Sequence, residues 1–188
     1  MLGLALALAL TAAPAGGPIL LDGACSEPAW SDAETTPIGE GLELKAMADA
    51  DYLFLCIPLP PQSLGTLDLY IDSGSGAPVN LHVSAQTGER TRGEEGWPEW
   101  SGFNNYDRWY GPPVAFAGFT AQSDGTRALT FADSAARELQ LDRSRFGGDV
   151  WRVALQLRAL NADQTGTLDY PVNADIDDSS TWAELTLP

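Results

Sequence analysis

Leu42-Glu43-Leu44-Lys45-Ala46-Met47-Ala48, then Asp49-Ala50-Asp51, then Tyr52-Leu53-Phe54-Leu55-Cys56-Ile57: these residues carry the pattern of two strands joined by a tight turn. In the first part Leu42, Leu44, Ala46 and Ala48 fall on one side of an extended chain and Glu43 and Lys45 on the other, the period-two pattern of a half-buried strand. The acidic triplet is a turn signal, because Asp side chains hydrogen-bond their own backbone. The second run is almost wholly apolar and suits a more deeply buried strand. Short segments of the same kind recur outward from here, at 67–71, 79–85, 114–120, 127–131, 138–141, 150–158, 167–172 and 182–187. Turn signals such as Asp72-Ser73-Gly74, Ser123-Asp124-Gly125 and Gly147-Gly148-Asp149 lie between them. No long helical periodicity is present, although Ser134-Ala135-Ala136-Arg137 reads as a helical turn. The expectation is an all-β fold: a two-sheet antiparallel β-sandwich of jelly-roll type. One segment, 87–113, does not read as strand, and a long connection on a rigid sandwich is expected to carry function.

At the N-terminus, residues 2–10 form a Leu/Ala run ending in the small-residue site Ala13-Pro14-Ala15, which reads as a signal peptide over 1–15. The run has no Lys or Arg before it and is too short for a membrane span. A lipid attachment at Cys25 is disfavoured by Asp22, which sits where an apolar residue is needed. The expectation is one exported domain over 16–188, secreted or periplasmic, soluble and monomeric. The formal charge of -16 survives cleavage after Ala15, since 1–15 carry no charged side chain. Such a charge disfavours nucleic acid and anionic membranes as partners. Cys25 and Cys56 are the only cysteines, and an oxidising compartment allows them one pairing. A disulfide is expected, with a buried Cys56 thiol as the alternative.

The opening Leu21-Asp22-Gly23-Ala24-Cys25-Ser26-Glu27-Pro28-Ala29-Trp30 resembles the start of the family 9 carbohydrate-binding modules, which run Asp-Gly, an acidic residue, then Ala-Trp. Asp49-Ala50-Asp51-Tyr52-Leu53-Phe54-Leu55 is similar to that family's acidic turn and aromatic-apolar strand. The segment 67–72 resembles its next strand, ending in Ile-Asp. Tyr170-Pro171-Val172-Asn173-Ala174-Asp175, with Thr181-Trp182, resembles its closing strand, turn and final Trp. The resemblance implies a sandwich that binds sugars, often with structural Ca²⁺, and implies no catalysis. Residues 85–113 match no pattern of the family, and fold transfers better than function.

Six aromatic residues, Trp97, Trp100, Phe103, Tyr106, Trp109 and Tyr110, crowd into the unmatched segment among Asn104, Asn105 and Asp107. Sugar C–H faces pack on rings while sugar hydroxyls need amide and carboxylate partners. Trp97, Trp100, Trp109 and Tyr110 are therefore expected to form a carbohydrate-stacking surface, with Asn104, Asn105 and Asp107 serving hydroxyls. The alternative is that the rings only anchor the loop. Trp30 and Trp182 are expected in the core. Asn173, Asp175, Asp177 and Asp178 gather oxygens of the kind Ca²⁺ takes, although such turn residues more often cap or face solvent. Glu94, Glu95 and Glu99 keep a glycosidase reading open. Met47 and His82 keep open a haem site like that of the dopamine-monooxygenase-like cytochrome domains, although His82, the only histidine, reads better as a satisfied strand residue. The competing expectations are a non-catalytic carbohydrate-binding module and a structural or protein-interaction sandwich that has lost sugar binding.

Overall fold

The structure, a computed structural model, describes residues 9–100, 102–103 and 107–188. Its strands are β1 (Ala9–Thr11), β2 (Ala13–Pro14), β3 (Glu34–Gly39), β4 (Leu42–Ala48), β5 (Tyr52–Pro58), β6 (Thr66–Asp72), β7 (Val79–Val83) and β8 (Thr87–Thr91). There follow β9 (Trp109–Tyr110), β10 (Phe116–Ala121), β11 (Arg127–Phe131), β12 (Ala136–Asp142), β13 (Val150–Arg158), β14 (Thr167–Tyr170) and β15 (Ala183–Thr186). A seven-stranded sheet runs β1-β15-β13-β6-β7-β8, with β14 continuing β15 along the same edge of β13. A six-stranded sheet runs β2-β4-β5-β12-β9, with β3 also pairing β4. The two pack as an all-β sandwich, and β10–β11 stand apart as a separate hairpin.

The alternation in β4 sends Leu42, Leu44, Ala46 and Ala48 into the core between the sheets, where they meet Leu53, Leu55 and Ile57 of β5. The continuous apolar run of β5 has a second cause. Its outward residues Phe54 and Cys56 are also buried, under Trp30, Ile19, Cys25 and Ala29 of the preceding coil. The Cys25–Cys56 disulfide, with Cα atoms 6.3 Å apart, ties this cover to β5. Closing a loop of this length stabilises by about 3–4 kcal/mol through the unfolded chain's lost entropy. A third cluster, Tyr70, Ala154 and Trp182, lies on the outer face of the seven-stranded sheet. Trp30 and Trp182 are thus both buried, as expected.

Three segments differ from the sequence reading. Ala136 and Arg137 are strand rather than helical turn, because β12 runs the full length of β5 from Ala136 opposite Pro58 to Asp142 opposite Tyr52. Among the described residues the only α-turn is Arg143–Phe146 just after, with Asp142 accepting from the Ser144 amide as its N-cap. Residues 87–91 are strand β8, not loop, and β3 was not expected at all. Both lie on sheet edges and are largely polar, and so lack the apolar alternation that marks a half-buried strand.

Arg137 is buried, and its guanidinium donates to the carbonyls of Leu64 and Gly65 and to Ser134 Oγ. Burial pushes its pKa down to about 10, which leaves it charged at neutral pH. It pins the crossover between β5 and β6 to β12.

The first described residues connect the sheets. β1 pairs parallel with β15, Ala12 N–H donates to Thr186 O at 3.0 Å, and β2 then pairs parallel with β4. Leu10 is 1% exposed, in the central core. The leader boundary expected after Ala15 lies beyond both strands, while residues 1–8 lie outside the described residues.

Candidate ligand-binding faces

On the outer face of the seven-stranded sheet, register places Asp68 opposite His82 and Tyr70 opposite Asn80, with Arg90 next across β8. Asp68 Oδ1 accepts from Asn80 Nδ2 at 3.2 Å and lies 3.1 Å from His82 Nδ1, while His82 Nε2 lies 2.9 Å from Ser84 Oγ. Arg90 Nε donates to Asn80 Oδ1 at 2.9 Å. Tyr70 donates to Gln156 Oε1 at 3.1 Å; burial, with the Asp68 charge adding, raises its pKa above the ordinary phenol range. His82 is therefore satisfied at both ring nitrogens.

The segment after β8 lies across this network. Trp97 Nε1 donates to Ile176 O at 3.1 Å, and its ring meets the Tyr70 ring edge-on at 5.3 Å. The Arg90 guanidinium lies 5.6 Å from the Trp97 ring and 4.7 Å from that of Trp100, a cation–π arrangement with both. Trp100 stacks on Phe103 at 5.6 Å and tilts against His82 at 5.3 Å. Trp100 is thus packed against three side chains. Trp97 instead lines an open cleft of about 560 Å³ with Thr91, Gly93, Glu94, Glu95 and Pro98.

The single stacking surface expected from the sequence is divided. Trp109 points into the core, 4% exposed, and donates from Nε1 to Glu89 Oε2 at 2.7 Å. Glu89 also takes both Arg145 terminal nitrogens, at 2.8 and 3.0 Å. Trp109 is therefore a packing residue rather than a platform. Tyr110, 43% exposed, stands on the outer face of the six-stranded sheet, away from Trp97 and Trp100. The cause is local: 109–110 is a strand, and successive strand residues face opposite ways. Asp107 lies with neither group, its carboxylate 4.0 Å from Arg145 Nε. Asn104 and Asn105 lie outside the described residues.

In the acidic turn, Asp175 Oδ1 accepts from the Asp177 amide at 2.9 Å, and Asp177 Oδ1 lies 3.6 Å from Arg92 Nε. Asp178 Oδ1 accepts from the Ser180 amide and hydroxyl at 3.0 and 2.6 Å, which hold its carboxyl below the ordinary range. These carboxylates serve the turn itself, and Asn173 has no hydrogen bond or ion pair among the described residues. Among the described residues no group of three or more His, Cys, Asp or Glu gathers to hold a metal. Met47 is buried beneath Trp30 outside the six-stranded sheet and His82 lies outside the other, so the two cannot share one iron.

A second concavity, missed in the sequence, surrounds Tyr110: Tyr52, Arg108, Gln140 and Asp142 line a shallow cleft of about 210 Å³ with it. No local signal marks it, because the group exists only once β5, β12 and β9 are in register. No known protein family, curated protein or solved structure matches the chain.

Proposed function

We propose that the protein is a secreted or periplasmic, non-catalytic carbohydrate-binding module that takes a neutral glycan at the Trp97 cleft. The observation that carries this reading is the state of Trp97. Its indole is anchored by a hydrogen bond and by Tyr70 and Arg90, yet it walls an open cleft beside the exposed carboxylates of Glu94 and Glu95. A ring already held in place meets a sugar face without an ordering cost, and carboxylates accept from sugar hydroxyls. The charge of -16 favours a neutral or cationic ligand over an anionic one. The resemblance to family 9 modules points the same way, and the disulfide suits an oxidising compartment. Among the described residues no helix is long and apolar enough to cross a membrane. Exposed Glu94 and Glu95, with a histidine satisfied on both sides, support binding over hydrolysis.

The test is a glycan array spanning neutral and anionic oligosaccharides. Retention of neutral glycans is expected, with affinity lowered about five- to tenfold by Trp97→Ala, the loss of about 1 kcal/mol of ring stacking. Because Trp97 also packs on Tyr70, the exposed pair Glu94→Gln/Glu95→Gln gives a variant whose fold is unaffected. An array without neutral hits, or hits indifferent to both variants, refutes the reading.

One observation favours the protein-interaction alternative. On the β10–β11 hairpin, Phe116, Phe119 and Leu129 are 56%, 60% and 60% exposed, and register puts Phe119 and Leu129 side by side. A two-stranded ribbon is barely stable alone, so a partner covering this face would stabilise it.

A further inference from the structure

We propose that the outer face of the six-stranded sheet holds a second glycan site, centred on Tyr52 and Tyr110, and that the protein bridges two saccharide chains from its opposite sides. This rests on the carbohydrate reading above but uses none of its residues. The face is built by register: Gln140 of β12 lies opposite Tyr110 of β9, and Asp142, next on the same side of β12, lies opposite Tyr52 of β5. Asp142 N–H also donates to Arg108 O at 2.9 Å, placing Arg108 beside Asp142. Two aromatic rings thus stand at diagonal corners of a patch with an amide and a carboxylate between them.

Three properties make this a ligand surface rather than solvated sheet. Tyr52 is 37% and Tyr110 43% exposed, and neither phenol has a hydrogen-bond partner among the described residues. The Tyr52 ring meets that of Phe54 at 6.1 Å, and the backbone of Tyr110 is held by the pairing of β9 to β12. Arg108, just before β9, holds a φ of 54°, a left-handed conformation costly for a side chain of this kind and common at binding sites.

The chemistry selects the occupant. Two strand spacings separate the tyrosines by about 10 Å across the sheet, near the length of a disaccharide. Arg108 and Asp142 cancel in charge, so the patch has no net call on an ion and suits an uncharged chain of alternating C–H faces and hydroxyls. Gln140 offers both a donor and an acceptor between the rings. The open, shallow form fits an extended β-linked chain running across it, in a smaller cleft than the one Trp97 lines on the far side.

The experiment is isothermal titration of the intact protein with cellohexaose, xylohexaose and mannohexaose, read as stoichiometry. At least one is expected to occupy two sites per protein. Tyr110→Ala and Tyr52→Ala should each weaken one site about five- to tenfold, leaving the other unchanged, and Trp97→Ala should do the converse. In the wild type, the Gln140 side-chain amide resonances should shift during titration, a readout independent of how the variants fold. One site per protein, abolished by Trp97→Ala and untouched by both tyrosine variants, with Gln140 unmoved, overturns this proposal and leaves the Trp97 site standing. One site lost only through the tyrosines refutes the Trp97 reading and the bridging claim while retaining this face. Silence toward all three sugars overturns the proposal.

Discussion

Replacing Trp109 separates core from platform. Its indole fills space between the sheets and its Nε1–H meets Glu89 at 2.7 Å, where Glu89 also holds Arg145. Trp109→Ala should cost about 3–5 kcal/mol for the vacated volume, and about 1–2 kcal/mol more for the donor Glu89 loses. Trp109→Phe keeps most of the ring but not the donor, and should cost about 1.5–3 kcal/mol. Natural domains have only about 5–15 kcal/mol in hand, so the alanine variant should stand near unfolding. The assay is urea denaturation followed by far-UV circular dichroism. With a slope of about 2 kcal/mol per molar, the midpoint should fall by about 2 M or more for alanine and by about 1 M for phenylalanine. Trp100→Ala, from a half-exposed ring, is the control and should shift it by less than about 1 M. A Trp109→Ala midpoint no lower than that of Trp100→Ala would refute the placement of Trp109 in the core and return it to the ligand surface.

Glu138 is 1% exposed; its Oε2 accepts from the amides of Asp22 and Gly23 at 3.0 and 2.6 Å, and Oε1 has no partner among the described residues. Burial, with the charges of Glu27 and Asp22 adding, raises its pKa against the opposing amide bond from Gly23. The folded state therefore binds this proton more tightly than the unfolded chain. Its contribution is complete below the ordinary glutamate value of about 4.3 and is lost as pH rises through the raised folded value. Glu138→Gln should flatten the fall in melting temperature above about pH 4.3, and parallel profiles for the two proteins would contradict this. A protein starting at Gly16 should be less stable than one starting at Ala9 by about 2–4 kcal/mol, from the lost burial of Leu10 and the bared edges of β4 and β15. Equal urea midpoints would show that β1 and β2 contribute nothing.

What could be read from the chain alone tracks how local each cause is. The strands at 42–48 and 52–57 were legible because burial writes itself into every second residue, and the disulfide because two cysteines leave one pairing. β3 and β8 were not, since each is an edge strand of largely polar residues with too few apolar side chains to show an alternating face. The expected stacking surface is divided for a subtler reason. Trp109 and Tyr110 are neighbours in sequence, so a count of aromatics joins them, yet strand geometry sends one inward and one out. The Tyr52 and Tyr110 face has the converse problem, because its members come together only through pairings between distant strands. The N-terminal apolar run carries the marks of an export signal, while the part of it described here shows that the same Leu and Ala residues also suit a sheet edge.

The pairing of β1 with β15 joins residues from opposite ends of the described chain. Loop closure over such a span carries a large entropic cost before any contact rewards it, so we expect this seam to form late in folding. A chain that leaves a pore N-terminus first keeps its opening strand idle until the closing strand has also emerged. The interval leaves the margins of both sheets open, and it is then, rather than in the finished domain, that the protein is most exposed to pairing with a stray strand of another chain.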